Sequence, residues 1–152
     1  MTSGLRHGGP LVIAFGNELR GDDGAAHVTA RLLTETPGFA GRVIQIHQLG
    51  PDIAEELAAS EVVFFVDARR PDGCLEIQCS ELTPGVDVRL PLGHALTPQH
   101  VLTLCAALYG RWPRAYLVTI PTETFEFGTE CSETAVRGAH AAAALILKRI
   151  QE

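Results

Sequence analysis

The sequence has no uninterrupted apolar stretch of about 18 residues, so no segment is predicted to span a membrane. Lysine is nearly missing as well. Lys148 stands alone among arginines, and the formal net charge of −6 leaves no clustered basic surface of the kind that grips nucleic acid. The cysteines, Cys74, Cys79, Cys105 and Cys131, form no C-x-x-C pair, which removes the usual zinc and redox spacings; reduced thiols are expected. Cys105 lies in an apolar helical run and is expected in the core. There is no G-x-S-x-G, and no serine or cysteine sits at a strand-to-helix elbow. Cys131 precedes a helix, but Ser132 as a plain helix cap is the simpler reading. A dinucleotide fingerprint of the G-x-G-x-x-G type is also lacking, so no organic cofactor is expected. The opening "MTSGLRHGGP" is small and polar, with no apolar segment resembling a signal peptide. Residues 1–10 are expected to be a flexible N-terminus, and the protein is expected in the cytoplasm.

What is present reads as one domain over all 152 residues, with no repeat, low-complexity tract or linker. Leu11–Phe15 is a continuous apolar run ending in Gly-Asn, suited to a strand covered on both faces. From Asp22 the period becomes helical until Pro37-Gly38. "RVIQIHQL" (Arg42 to Leu49) predicts a second strand, and "GPDIAEELAAS" a helix with its acids in the early turns. "EVVFFVDA" (Glu61 to Ala68) is the most apolar strand and is expected at the sheet's centre. "CLEIQCSEL" (Cys74 to Leu82) alternates and is expected to pair antiparallel at an edge. Thr97 and Pro98 cap and open a helix. "RAYLVTIP" is a further strand, "TETFEFGTE" a loop with aromatic anchors, and Ser132 to Ile150 the closing helix. This order predicts an α/β fold: a three-layer α/β/α domain around a twisted, mostly parallel five-stranded sheet.

In such sheets ligands gather beyond the carboxyl ends of the strands. Three stretches land there: Gly16–Asp23, Asp67–Arg70 and the loop carrying His94. Asp22 can cap a helix and Asp23 can sit in its first turn for dipole reasons. That does not explain both beside Asp67, whose backbone is anchored by five apolar residues, and His94. Two carboxylates and an imidazole suit a divalent metal of borderline hardness, nickel or zinc for example. His7, His27, His47, His100 and His140 read as structural or solvated.

"FGNELRGDDG", "HQLGPDIAEELAASEVVFFVDA", "GHALTPQHVLTL" and "IPTETFEFGTECSETAVRGA" together resemble the hydrogenase maturation proteases, in order along nearly the whole chain. The family often has glycine near Ala14 and at Ala26; both departures exchange small for small. The resemblance implies an endopeptidase that removes the C-terminal extension of a nickel–iron hydrogenase large-subunit precursor after nickel insertion. It implies that nickel arrives with the substrate and is read by Asp23, Asp67 and His94, which would be both the metal-binding and the catalytic set. Asp22 would then keep the cap role. Nucleic acid and membrane are not expected partners. The rival readings are a non-catalytic factor that checks nickel in the same precursor, and a small-molecule hydrolase. The Arg69-Arg70 pair is left between meeting carboxylates of a substrate tail and being solvated.

Overall fold

The computed structural model describes residues 9–87, 89–91, 95–128 and 130–152. His7, His94 and most of the N-terminal decapeptide therefore lie outside the described residues. The chain runs through strand β1 (Leu11–Phe15), a short 3-10 turn (Gly21–Gly24), helix α1 (Ala25–Thr34), strand β2 (Arg42–Ile46) and helix α2 (Ile53–Ala58). Strands β3 (Val62–Ala68) and β4 (Gln78–Leu82), helix α3 (Pro98–Tyr109), strand β5 (Arg114–Ile120) and helix α4 (Glu133–Gln151) follow. No helix among the described residues is long and apolar enough to cross a membrane.

The sheet order is β2-β1-β3-β5-β4, so the apolar "VVFFVDA" strand does lie at its centre. The β1–β2, β1–β3 and β3–β5 pairs are parallel, and only β4 runs antiparallel, against β5 at the edge. The expected α/β architecture is what forms. Strand ends differ from the sequence reading at β2, which stops at Ile46, and at β4, which starts at Gln78. Cys74 and Glu76 are instead held in a turn by the Arg69 guanidinium, which donates to both their carbonyls.

Alternation along the strands sorts the core. Val12, Ala14, Phe64, Val66, Val118 and Ile120 face α1 and α4. Leu11, Ile13, Val63, Phe65 and Ala115 face α2 and α3. By the same period of two, Asp67 belongs to the α2/α3 side of β3, opposite Thr119 of β5. Helix α3 enters from the carboxyl end of the sheet: Thr97 accepts from the His100 backbone while the Thr97 N–H donates to His100 Nδ1, a reciprocal cap. Just before it, Leu96 bridges to buried Leu49 beyond β2. His100, read as structural, has a capping role.

Helix α4 reaches the sheet because Gly138 carries no side chain. A Cβ there would stand 2.8 Å from Ile120 Cγ2 and 2.9 Å from Pro121 Cδ, closer than packed carbons tolerate. Gly138→Ala should therefore destabilise the protein by about 1–3 kcal/mol despite alanine's better helix propensity. Thermal unfolding monitored by circular dichroism checks this; a raised melting temperature would refute the close approach.

Candidate functional site

The first loop is built around Gly16, which closes β1. Its φ is +147°, and a Cβ there would lie 2.1 Å from the Asp23 carbonyl oxygen, so glycine alone lets the chain fold back on itself. The Gly16 N–H donates to the carbonyls of Ile46 and His47, extending the β1–β2 pairing by a residue. Asn17 Oδ1 accepts from the Leu19 N–H in a local side-chain turn. The Asn17 N–H donates to Asp23 Oδ2 at 2.8 Å.

Adjacent Asp22 and Asp23 do different work. Asp22 is fully buried, yet it caps neither its own 3-10 turn nor α1; both begin without a side-chain cap. The expectation that it caps the helix it precedes is corrected here. Its carboxylate reaches across to the chain before α4. Oδ2 accepts from the N–H groups of Glu123 (2.7 Å) and Thr124 (3.2 Å) and from the Ser132 hydroxyl (2.7 Å), while Oδ1 accepts from the Ser132 N–H (2.5 Å). Ser132 Oγ in turn accepts from the Ala135 N–H as the cap of α4. The 19–21 and 126–128 segments add two backbone bonds, Gly21 N–H to the Gly128 carbonyl and Gly128 N–H to the Leu19 carbonyl. Burial pushes the Asp22 pKa up, but these four hydrogen bonds outweigh it and hold the group below the usual carboxylate range.

Asp67 is the opposite case. Burial first, and the neighbouring Asp23 charge second, raise its pKa to about 7 against one opposing bond from the Ala68 N–H. The structure thus brings Asp23 and Asp67 together at the carboxyl ends of β1 and β3, as the sheet-edge argument expects. His94 cannot be added, since it lies outside the described residues. Among the described residues no group of three or more His, Cys, Asp or Glu side chains is placed to hold a metal.

The two arginines after Asp67 part company. Arg69 donates to Asp72, to Thr119 Oγ1 at 3.0 Å and to the carbonyls of Cys74 and Glu76, and its backbone bonds to Ile120 and Thr122. It is a structural latch, neither solvated nor free for a substrate. Arg70 is exposed, with its guanidinium over the Phe125 ring at 5.4 Å. Arg20 lies likewise over Phe127, 4.7 Å from a ring that is 77 % exposed. Each of these two cations is thus propped on an aromatic face.

Cys131 is not an activated thiol: burial and then the Asp22 charge raise its pKa, overriding any benefit from the nearby helix start. Cys105 is buried as expected, its thiol raised to about 11 by burial. His27, read from the sequence as structural or solvated, is structural: it is 2 % exposed and bonds to the Gly16 carbonyl. Its signal was faint, one histidine in an otherwise apolar helix face. A cleft of about 290 Å³ opens beside it, lined by Asn17, Leu19, Gln45 and His47. A larger cleft of about 420 Å³ sits at the amino ends of β3 and β5, near Pro10, Tyr116 and Arg149, remote from the carboxylates.

Two stability measurements follow from these opposed carboxylates. Asp22→Ala strands three backbone N–H groups and should cost about 3 kcal/mol or more at neutral pH. Because the folded-state pKa is lowered, this contribution is present above pH 3.8 and fades as pH falls through the lower folded value. Asp67 carries the opposite sign. With a folded pKa near 7 and an ordinary value of 3.8, its ionisation weakens the fold as pH rises through that window. Asp67→Asn should then stabilise by roughly 1–3 kcal/mol at pH 8, with the gain gone by pH 4. Urea unfolding at both pH values checks this; a gain independent of pH would show that Asp67 is not strained by charge.

No family model matches the chain in sequence, and no curated protein matches it either. Solved structures do. It is similar to the hydrogenase 2 maturation peptidase from a Thaumarchaeota archaeon, at 24% identity, covering 95% of this chain and 99% of that one with a TM-score of 0.69. It is also similar to the [NiFe] hydrogenase maturation protease HybD from Thermococcus kodakarensis, at 22% identity, 94% and 99% coverage and a TM-score of 0.69. The hydrogenase maturating endopeptidase HybD from E. coli aligns at 18% identity, over 95% of this chain and 93% of that one, again with a TM-score of 0.69. Over nearly its whole length, the chain has the fold of hydrogenase maturation peptidases of known structure.

Proposed function

We propose that the protein is a cytoplasmic endopeptidase that removes the C-terminal extension from a nickel–iron hydrogenase large-subunit precursor, once nickel has been inserted. The observation that carries the reading is the Asp23–Asp67 pair at the sheet edge of this fold, where burial first and the Asp23 charge second raise the Asp67 pKa to about 7. Such a pair is costly alone and is relieved by a cation. Nickel held by the precursor is that cation and belongs to the substrate. Asp23 and Asp67, with His94, are the residues assigned to read it, and two carboxylates plus an imidazole suit a metal of that hardness.

Near neutral pH a proton on Asp67 offsets the repulsion between the pair, and an arriving metal displaces it. Empty precursor offers no such exchange, which makes cleavage conditional on loading. The isolated protein then has only these few donors and holds nickel weakly. Attack on the peptide bond is by water, activated either at the metal or by a carboxylate acting as general base. Exposed Arg70, propped on Phe125, and Arg20, propped on Phe127, offer positive charge to the precursor's polypeptide.

The second reading is a non-catalytic factor that checks nickel in the same precursor; the same carboxylate pair supports it. Incubation with nickel-loaded precursor separates the two by mass spectrometry. The protease reading expects a shortened large subunit, with no shortening of nickel-free precursor and at least a hundredfold slower cleavage for Asp23→Asn or His94→Ala. Nickel-dependent binding with no loss of mass would establish the checking factor instead. Normal processing by both variants would overturn the residue assignment.

A further inference from the structure

Histidine 27 is the buried titratable group that the site described above does not use. It sits on α1 and touches three parts of the chain. Nε2 lies 2.9 Å from the Gly16 carbonyl oxygen and Nδ1 lies 3.1 Å from Gln45 Oε1 on β2. Glu18 Oε1, on an exposed side chain also near Arg31, is 3.9 Å from Nδ1. A carbonyl can only accept, so Nε2 carries the proton and donates to Gly16.

The Gly16 carbonyl belongs to the same rigid peptide as the Asn17 N–H, and in a trans peptide the two point in opposite directions. His27 holds the oxygen; Asp23 Oδ2 accepts from the N–H at 2.8 Å. One peptide plane is thus gripped from both sides, and a donor on its oxygen polarises its N–H toward the carboxylate. Gly16 also carries no Cβ and sits at φ +147°, so without a grip on the oxygen the plane that follows it can rotate. Rotation would withdraw the only hydrogen bond that a neighbouring backbone N–H gives Asp23 among those described.

We propose that His27 is a positioning residue for Asp23, acting through the Gly16–Asn17 peptide. The inference rests on the reading that Asp23 works in the site. His27 touches neither the carboxylate nor any reacting group; its effect is to fix where Asp23 points. Glutamine is the conservative replacement, since its Nε2 can donate from nearly the same place, whereas alanine cannot.

Amide hydrogen exchange on the full-length protein, read by NMR, tests this without any substrate. His27→Ala should speed exchange at Asn17 by about tenfold or more while Ile13 and Val66 in the core keep their protection. His27→Gln should restore most of it. Asp23→Ala should also expose Asn17, and adding His27→Ala should cause little further loss, because both grips act on one peptide. Unchanged Asn17 exchange in His27→Ala, no rescue by glutamine, or fully additive losses would each overturn the proposal. Cleavage of nickel-loaded precursor should follow the same order, wild type and glutamine above alanine; equal cleavage by all three would remove His27 from the working site. If the exchange pattern appears and none of the proteins cleaves precursor, the protease reading falls while the His27 linkage stands.

Discussion

The Asp22 carboxylate is the tie on which the carboxyl edge of the sheet depends. It is fully buried and accepts four hydrogen bonds from residues 123, 124 and 132, more than a hundred positions along the chain. An ionised carboxylate in that position is tolerable only because it accepts four hydrogen bonds, three at Oδ2 and one at Oδ1. The interaction fastens the turn after β1 to the loop that caps α4, and Gly21 makes room: a Cβ there would crowd the Glu126 and Thr124 carbonyls at 3.2 and 3.4 Å. With that turn fixed, Asp23 is carried to the mouth of the sheet rather than left to solvent. Its position follows from its neighbour's bonds more than from its own.

Two adjacent residues of one chemical type are thereby set to opposite tasks by their surroundings. Asp22 is saturated with donors and stays charged well below the usual carboxylate range. The Asp23–Asp67 pair is under-supplied, and Asp67 responds by holding its proton to about pH 7. A shift of that size corresponds to a few kcal/mol between protonation states. The fold accepts this cost because the central strand beneath Asp67, Val63 to Val66, is wholly buried and holds the backbone still.

Much of this was legible in the sequence. Continuous apolar runs marked β1 and β3, alternation marked β4 as an edge, and the Thr97-Pro98 and Ser132 signals marked the starts of α3 and α4. The rule that ligands collect beyond strand carboxyl ends led to Asp22, Asp23, Asp67 and His94, and the family resemblance chose Asp23 from the adjacent pair. The partners of Asp22 were illegible. A local cap and a tie to residues far along the chain look the same in one dimension, because Asp favours helix starts for both reasons. Arg69 was illegible for a related cause: its guanidinium is taken up by Asp72, by Thr119 on β5 and by the Cys74 and Glu76 carbonyls of a turn whose course depends on where β4 begins. His27 was hidden because a buried histidine and a solvated one occupy a helical pattern equally well.

The consecutive arginines show why the carboxylate pair stays uncompensated from within. Arg69 is nearest in sequence to Asp67 and would be its natural counter-ion. Instead its guanidinium spans Asp72, Thr119, Cys74 and Glu76, closing the turn between β3 and β4. Arg70 points outward onto Phe125, and Arg20 onto Phe127. Arg20, Arg69 and Arg70, the arginines close to the pair in sequence, are all engaged elsewhere. Had Arg69 turned inward, its charge would lower the Asp67 pKa and leave two ionised carboxylates with one counter-ion between them. The latch on the turn is therefore also what keeps the Arg69 charge away from the carboxylate pair.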